Sequence, residues 1–284
     1  MEEHTYSVIE WFNSLTQKYN RTFVVFDIVD FYPSITESLL RKALMFAQQH
    51  IIIDNEKINI IMHARKSLLF NEDEPWMKKE KEGAFDVIMG SYDGAEVCEL
   101  VGAYILSILG PIIGKSEVGL YRDDGLGAIL DTPGPAAERI KKDIIKEFQS
   151  LGLKITIDVN QKIVNYLDIT MSLSAGTFQP SLKPNARPVY INVGSNYQPQ
   201  IIKNVPPSVN QRLCSISCNE QVFRDAARSY QDALTSSGHT ATLQYTPRPD
   251  NTLGGPRRKR QHTPNVIWYT PPLSQSVKTS EGSS

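Results

Sequence analysis

Two adjacent aspartates set between short apolar runs constrain this chain more than any other feature. They lie in Gly119-Leu-Tyr-Arg-Asp-Asp-Gly-Leu-Gly-Ala-Ile129, where Val118 to Tyr121 and Leu126 to Leu130 read as the arms of a hairpin. Neighbouring side chains of a regular strand point to opposite faces, so Asp123 and Asp124 can serve one ion only where the strand is interrupted. The Asp-Asp-Gly tip supplies that interruption. Turn chemistry alone also accounts for Asp124-Gly125, so the hairpin by itself leaves both readings open.

A second stretch bears on the choice. Phe23-Val-Val-Phe-Asp-Ile-Val-Asp-Phe-Tyr-Pro-Ser-Ile35 predicts an apolar strand ending on Asp27, then a turn at Pro33 into a helix. A carboxylate at the end of a buried strand is costly unless it is paired or binds a cation. With the Asp123-Asp124 hairpin beside this strand, three carboxylates meet at one sheet edge. Such an oxygen-rich site suits Mg²⁺, with Mn²⁺ as a substitute, and two ions there can activate a hydroxyl and stabilise a leaving pyrophosphate.

These residues carry a resemblance. Tyr121-Arg-Asp-Asp124 resembles the Tyr-x-Asp-Asp box of reverse transcriptases, and Asp27-Ile-Val-Asp-Phe-Tyr32 resembles their first catalytic motif. Met89-Gly-Ser-Tyr-Asp-Gly94 is similar to the Gly-containing motif beneath template and nucleotide. Gly152-Leu-Lys-Ile-Thr156 and Tyr166-Leu-Asp-Ile-Thr170 resemble the last palm motif and the primer grip, so the ordered set covers about residues 23–173. Leu-Asp-Ile-Thr followed by Lys183-Pro-Asn and Val189-Tyr-Ile-Asn looks most like the Penelope-like branch of retroelements.

The resemblance implies an α+β polymerase palm, an antiparallel sheet with packed helices, followed by a small helical thumb. It implies two-metal transfer of deoxynucleotides to a primer 3′-hydroxyl on an RNA or DNA template. Asp27 and Asp123 are then the metal ligands, with Asp124 and the Ile28 carbonyl assisting. Asp30 and Phe31 would lie near the triphosphate, although the Asp30 side chain could equally cap a helix. Tyr32 takes the place of the steric gate against a 2′-hydroxyl, and is also an ordinary core residue beside a proline. Gly90 would let a base pair or ribose approach the backbone, or is a plain turn glycine. Lys154 and Lys162 are both candidates near the pyrophosphate. Tyr166, Leu167 and Asp168 would steer the primer end, against a buried leucine and a turn-forming aspartate.

Composition fits a globular protein: of 284 residues 40% are hydrophobic and 21% charged. No apolar run reads as long enough to span a bilayer, and no secretory pattern opens the chain, so an intracellular protein of nucleus or cytoplasm is expected. Cys98, Cys214 and Cys218 read as structural cysteines rather than zinc ligands. The net charge of −1 conceals an asymmetry: residues 1–173 hold 18 basic against 26 acidic side chains, and residues 174–284 hold 12 against 5. An acidic metal-binding half joined to a basic half that follows a phosphate backbone suits a polymerase; a solvated basic tail gives the same count.

Periodicity predicts helices over 7–19, from a Ser34-Ile-Thr-Glu37 capping box to about His50, over 56–70 with His63, Arg65 and Lys66, over 93–109, over 136–151 and over 220–237. The interval 71–82 reads as a surface loop. Strands near 154–159, 163–172 and 176–180 complete the palm sheet. The expected divisions are an N-terminal helix (1–22), palm (23–173), thumb-like basic region (174–245) and flexible basic tail (246–284). In that tail Arg257-Arg-Lys-Arg260, preceded by Pro and Gly, could grip nucleic acid, act as a nuclear localisation signal, or merely solubilise; each of Arg257, Arg258, Lys259 and Arg260 is a candidate backbone contact. Only 26 residues precede Asp27, too few for the fingers of the family, and no nuclease pattern follows. Weak or no polymerase activity is therefore expected of these residues alone. The alternative is a noncatalytic nucleic-acid-binding protein derived from a reverse transcriptase.

Overall fold

The computed structural model describes residues 2–66, 69–76, 85–88, 90–130, 134–182 and 187–247. The basic run at 257–260, Met89 and Lys183 lie outside them. The described residues up to Pro247 form one compact unit.

Strand β1 (Arg21–Ile28) is the axis of the fold. Its residues alternate between two cores because successive strand side chains face opposite ways. Val24, Phe26 and Ile28 enter one apolar cluster, whereas Phe23 and, partly, Val25 enter another. β1 pairs antiparallel with β5 (Asp124–Leu130) on one side and β6 (Ile155–Gln161) on the other. β4 (Val118–Tyr121) pairs with the free edge of β5, giving the order β4-β5-β1-β6.

The rear face carries α2 (Phe31–Ser34), α3 (Glu37–Gln48), α4 (Asn55–Ala64), α5 (Gly94–Ile113) and α6 (Gly134–Ser150). α5 is 20 residues long and apolar enough to cross a membrane, contrary to the expectation that no segment is. In the fold it is a core helix, burying Val97, Cys98, Val101, Ile105 and Leu109 against α3, α6 and β4, and it carries Glu96 and Glu99.

The front face carries α1 (Glu2–Ser14) and a separate antiparallel sheet of β7 (Ile163–Tyr166), β8 (Ile169–Ser172) and β9 (Thr177–Pro180). Ile9, Phe12 and Leu15 of α1 meet Phe23, Leu126, Ala128, Met171 and Phe178 there. Two helices, α7 (Pro199–Ser215) and α8 (Glu220–Ser236), pack through Leu213, Phe223 and Tyr230, and Ile216 anchors the end of α7 in the front core.

Several expected elements are corrected. The first helix ends at Ser14, because the chain turns left-handed at Gln17 and forms a short 3-10 turn over Lys18–Asn20. The cap of α3 is Thr36, whose hydroxyl accepts from the Leu39 N–H at 3.1 Å, not Ser34. The helix predicted over 56–70 stops at Ala64, and part of the expected loop is a small hairpin of β2 (Leu69–Asn71) and β3 (Glu74–Trp76). Glu72 and Asp73 at its tip both adopt left-handed backbone. The single strand over 163–172 is two strands broken by a Leu167-Asp168 turn, and with β9 it forms its own sheet rather than completing the first.

Candidate active site

The hairpin turn is centred on Arg122 and Asp123, not on Asp-Asp-Gly: Tyr121 pairs with Asp124, and Arg122 takes φ +55°. Only the first central residue of this two-residue turn has positive φ, as in a type II′ hairpin. Gly125 therefore answers no turn requirement. A Cβ there would lie 2.1–2.5 Å from three atoms of the Phe26 ring, so the glycine is set by close packing across β1 and β5. That role leaves no mark in a local pattern, since Phe26 is 99 positions away.

Register brings the carboxylates together. Asp27 is the direct cross-strand partner of Asp124, so both side chains stand on the front face. Opposed residues in an antiparallel pair have Cα atoms about 4.5–5.5 Å apart. Asp123 follows at the turn, its carbonyl accepting from the Ile28 N–H at 2.9 Å. On the other side of Asp27 its partner is Thr156, so Asp124, Asp27 and Thr156 form a row across three strands.

Burial, and then the charge of Asp123, hold the Asp27 carboxyl above the ordinary carboxylate value. Among the described residues no Lys or Arg forms an ion pair with Asp27 or Asp123. Like-charged neighbours without a basic partner make a donor set that fits a divalent cation. Among the described residues no three His, Cys, Asp or Glu side chains already stand grouped as a metal cluster. The convergence of three carboxylates expected from sequence is thus a convergence of backbone positions.

Around this edge the remaining candidates separate. Ile28 is buried, and its backbone braces the hairpin through Asp123. Asp30 is exposed and left-handed (φ +49°), and its side chain makes no cap hydrogen bond. The expectation of a simple helix cap therefore fails: the Ser34 N–H bonds to the Asp30 carbonyl instead. Phe31 is buried at the start of α2.

Tyr32 is only 8% exposed and belongs to the rear core. Its hydroxyl hydrogen-bonds the Cys98 thiol of α5, within the fields of Arg122 and Asp123. Burial pushes the Cys98 thiol up to about 11, so it is a neutral partner. Cys98 was legible as a structural cysteine but not as the partner of Tyr32.

Lys154 is exposed, and its carbonyl accepts from the Val29 N–H at 2.9 Å, beside Asp30. Lys162 does not belong to the site. Its ammonium donates to the carbonyls of Tyr19 and Arg21, each at 2.6 Å, at the opposite end of β1. Six residues of strand separate Arg21 from Asp27, about 20 Å.

Gly90 has φ +88° and open space where a Cβ would stand, so backbone conformation requires the glycine. The close approach in this motif falls on Gly94, where a Cβ would meet Ser91 Oγ at 2.6 Å and the Ile88 carbonyl at 2.7 Å. Arg65 beside this motif is buried and paired with Asp93 at 2.5 Å.

The predicted primer grip is engaged internally. The Tyr166 hydroxyl donates to the Asp124 carbonyl at 2.8 Å, and the Tyr121 backbone N–H meets the same phenol. Burial first, then the Asp124 charge, raise its pKa. Leu167 takes left-handed backbone (φ +54°), unusual for leucine. Asp168 accepts from Thr5 Oγ1 of α1 at 2.8 Å and pairs with Arg212 of α7.

No family model matches the sequence, and no curated protein does. Among solved structures the chain is similar to telomerase from Candida albicans in complex with a fragment of telomeric RNA, with TM-score 0.57 and 11% identity over 83% of this chain and 42% of that one. Apo telomerase from Candida tropicalis gives TM-score 0.50 and 13% identity, covering 83% of this chain and 45% of that one. The RNA-dependent RNA polymerase of a human picobirnavirus aligns at TM-score 0.46 and 12% identity, over 84% and 50%. At these identities the likeness to telomerase is one of fold. The chain shares an α+β fold with these telomerases, and it spans less than half the length of those it matches.

Proposed function

We propose that the chain is the palm and thumb of a reverse transcriptase, most like those of Penelope-like retroelements, which adds deoxynucleotides to a primer 3′-hydroxyl on an RNA or DNA template. The observation that carries the reading is the cross-strand pairing of Asp27 with Asp124, with Asp123 at the adjoining turn, in a telomerase-like fold. Asp27 and Asp123, assisted by Asp124 and the Ile28 carbonyl, would hold Mg²⁺, or Mn²⁺ in its place. When bound, the cation lowers the pKa of the attacking hydroxyl and offsets charge on the phosphate oxygens.

The chain's own groups supply position. The turn from Val29 into α2, with exposed Asp30 and Lys154 beside it, borders the place for the triphosphate. Tyr32, its ring buried and its hydroxyl held by Cys98, forms the floor beneath the sugar. Catalysis of this kind is positioning and charge neutralisation, so little else is required of the protein.

The test is primer extension on RNA and DNA templates with deoxy- or ribonucleotides and Mg²⁺ or Mn²⁺. Slow extension by the wild type is expected, lowered at least about 100-fold in Asp27→Asn, the loss typical of removing a principal charge-stabilising group. Extension that survives Asp27→Asn would refute the assignment. A second reading, nucleic-acid binding without catalysis, is favoured by the lack of a ready metal cluster among the described residues. It requires salt-sensitive binding that is indifferent to Mg²⁺ and to Asp123→Asn.

A further inference from the structure

Between α1 and the arms of the Asp123–Asp124 hairpin lies a half-open pocket of about 250 Å³, lined by Trp11, Tyr121, Leu126 and Tyr166 among others. The Tyr166 phenol reaches across it to the turn. Tyr166 is 5% exposed, its ring belongs to the front core, and its hydroxyl meets both closing residues of the turn, the Asp124 carbonyl at 2.8 Å and the Tyr121 backbone N–H.

The next two residues of the same strand-turn unit fix the phenol in turn. Leu167 and Asp168 form the β7–β8 turn, and the Asp168 carboxylate accepts from Thr5 Oγ1 on α1 and from Arg212 on α7. The Asp168 carbonyl also accepts from the Ser181 N–H at 2.8 Å. Hydrogen bonds thus tie α7 to Asp168, the chain itself carries Asp168 to Tyr166 through Leu167, and the Tyr166 hydroxyl bonds the backbone of Asp124.

We infer that Tyr166 is a positioning residue for the Asp123–Asp124 hairpin and that Asp168 and Arg212 fix it in place, so the docking of α7 sets the geometry of the carboxylate edge. The primer-grip segment acts inward, on the protein's own turn. The consequence for cation binding rests on the function proposed above; the mechanical link does not.

The discriminating variant is Tyr166→Phe, which keeps the ring and removes the hydroxyl. Amide hydrogen exchange is followed by mass spectrometry over 118–126, with α3 and α5 as internal references, and Mn²⁺ is titrated by electron paramagnetic resonance on the same samples. Exchange of the hairpin should accelerate at least about fivefold, the reference helices should stay unchanged, and Mn²⁺ should bind several-fold more weakly, as expected on losing one hydrogen bond. Arg212→Gln, which leaves the aromatic core untouched, should produce the same local acceleration to a smaller degree, and it serves if Tyr166→Phe does not fold. Hairpin exchange unchanged in the variants that fold overturns the inference, as does loosening spread evenly over the molecule. Local acceleration with no Mn²⁺ binding even by the wild type upholds the positioning role and defeats the cation reading instead.

Discussion

Asp27 is a carboxylate whose partner across the sheet is another carboxylate, and whose pKa is raised by burial and by Asp123. The folded state therefore holds the Asp27 proton more tightly than the unfolded chain, where the value is close to 3.8. Stability from this group declines as pH rises from there through the raised folded-state value, and at neutral pH the full repulsion remains. Without divalent cations, Asp27→Asn should be more stable than wild type at pH 7 by on the order of 1 kcal/mol, about 2–4 °C in Tm. The difference should vanish near pH 3, and saturating Mg²⁺ should stabilise only the wild type; calorimetry across pH checks both. Gly125 makes a second residue-scale prediction, because a methyl there collides with the Phe26 ring. Gly125→Ala should cost about 1–3 kcal/mol, read from urea midpoints, and Phe26→Leu in the same chain should recover part of it.

Elements are held to one another by a few buried charges. Arg21, 5% exposed at the start of β1, donates to the Thr16 and Ala128 carbonyls and pairs with Glu117 at 2.6 Å, fixing the strand to the loop before β4. Asp168 does the corresponding work between α1, the β7–β8 turn and α7. Asp168→Ala should cost about 1–3 kcal/mol, because Thr5 and Arg212 lose their common acceptor. Exchange should accelerate in α7 more than in α5. The same pairings explain where pattern reading fell short. The break at Leu167-Asp168 contains neither glycine nor proline, and leucine is a poor marker for a left-handed turn, so two strands read as one. The hairpin arms were legible because their apolar runs are local, whereas the true turn at Arg122-Asp123 was displaced by the stronger Asp-Gly signal one residue on.

For the whole molecule, the compact unit ends at Pro247. A chain ending there should melt within about 2 °C of the full one, since it keeps every core cluster described. The same truncation removes Arg257 to Arg260 and so tests the basic tail. If those four side chains meet phosphates, the slope of log binding constant against log salt should fall by roughly 3, at about 0.7–0.9 per phosphate contact. An unchanged slope would assign them no contact. The apolar α5 belongs to this scale too: its composition suits a membrane, and only the helices and strands around it show that protein takes that place.

Sequence by itself determined the α+β class, the main helices up to residue 150 and the two acidic stretches, because alternation, helical spacing and turn residues act over a few positions. It also set Asp27 apart, since a carboxylate at the end of an apolar strand needs a partner wherever it folds. Tertiary structure decided the rest. It made Asp124 the residue opposite Asp27, sent Lys162 to the far end of the strand, sealed the Tyr32 ring into the core and turned Tyr166 toward the hairpin. Those outcomes depend on strand register and on contacts between residues about 40 to 140 positions apart, where a shift of one residue reverses every side chain and no local pattern records the choice.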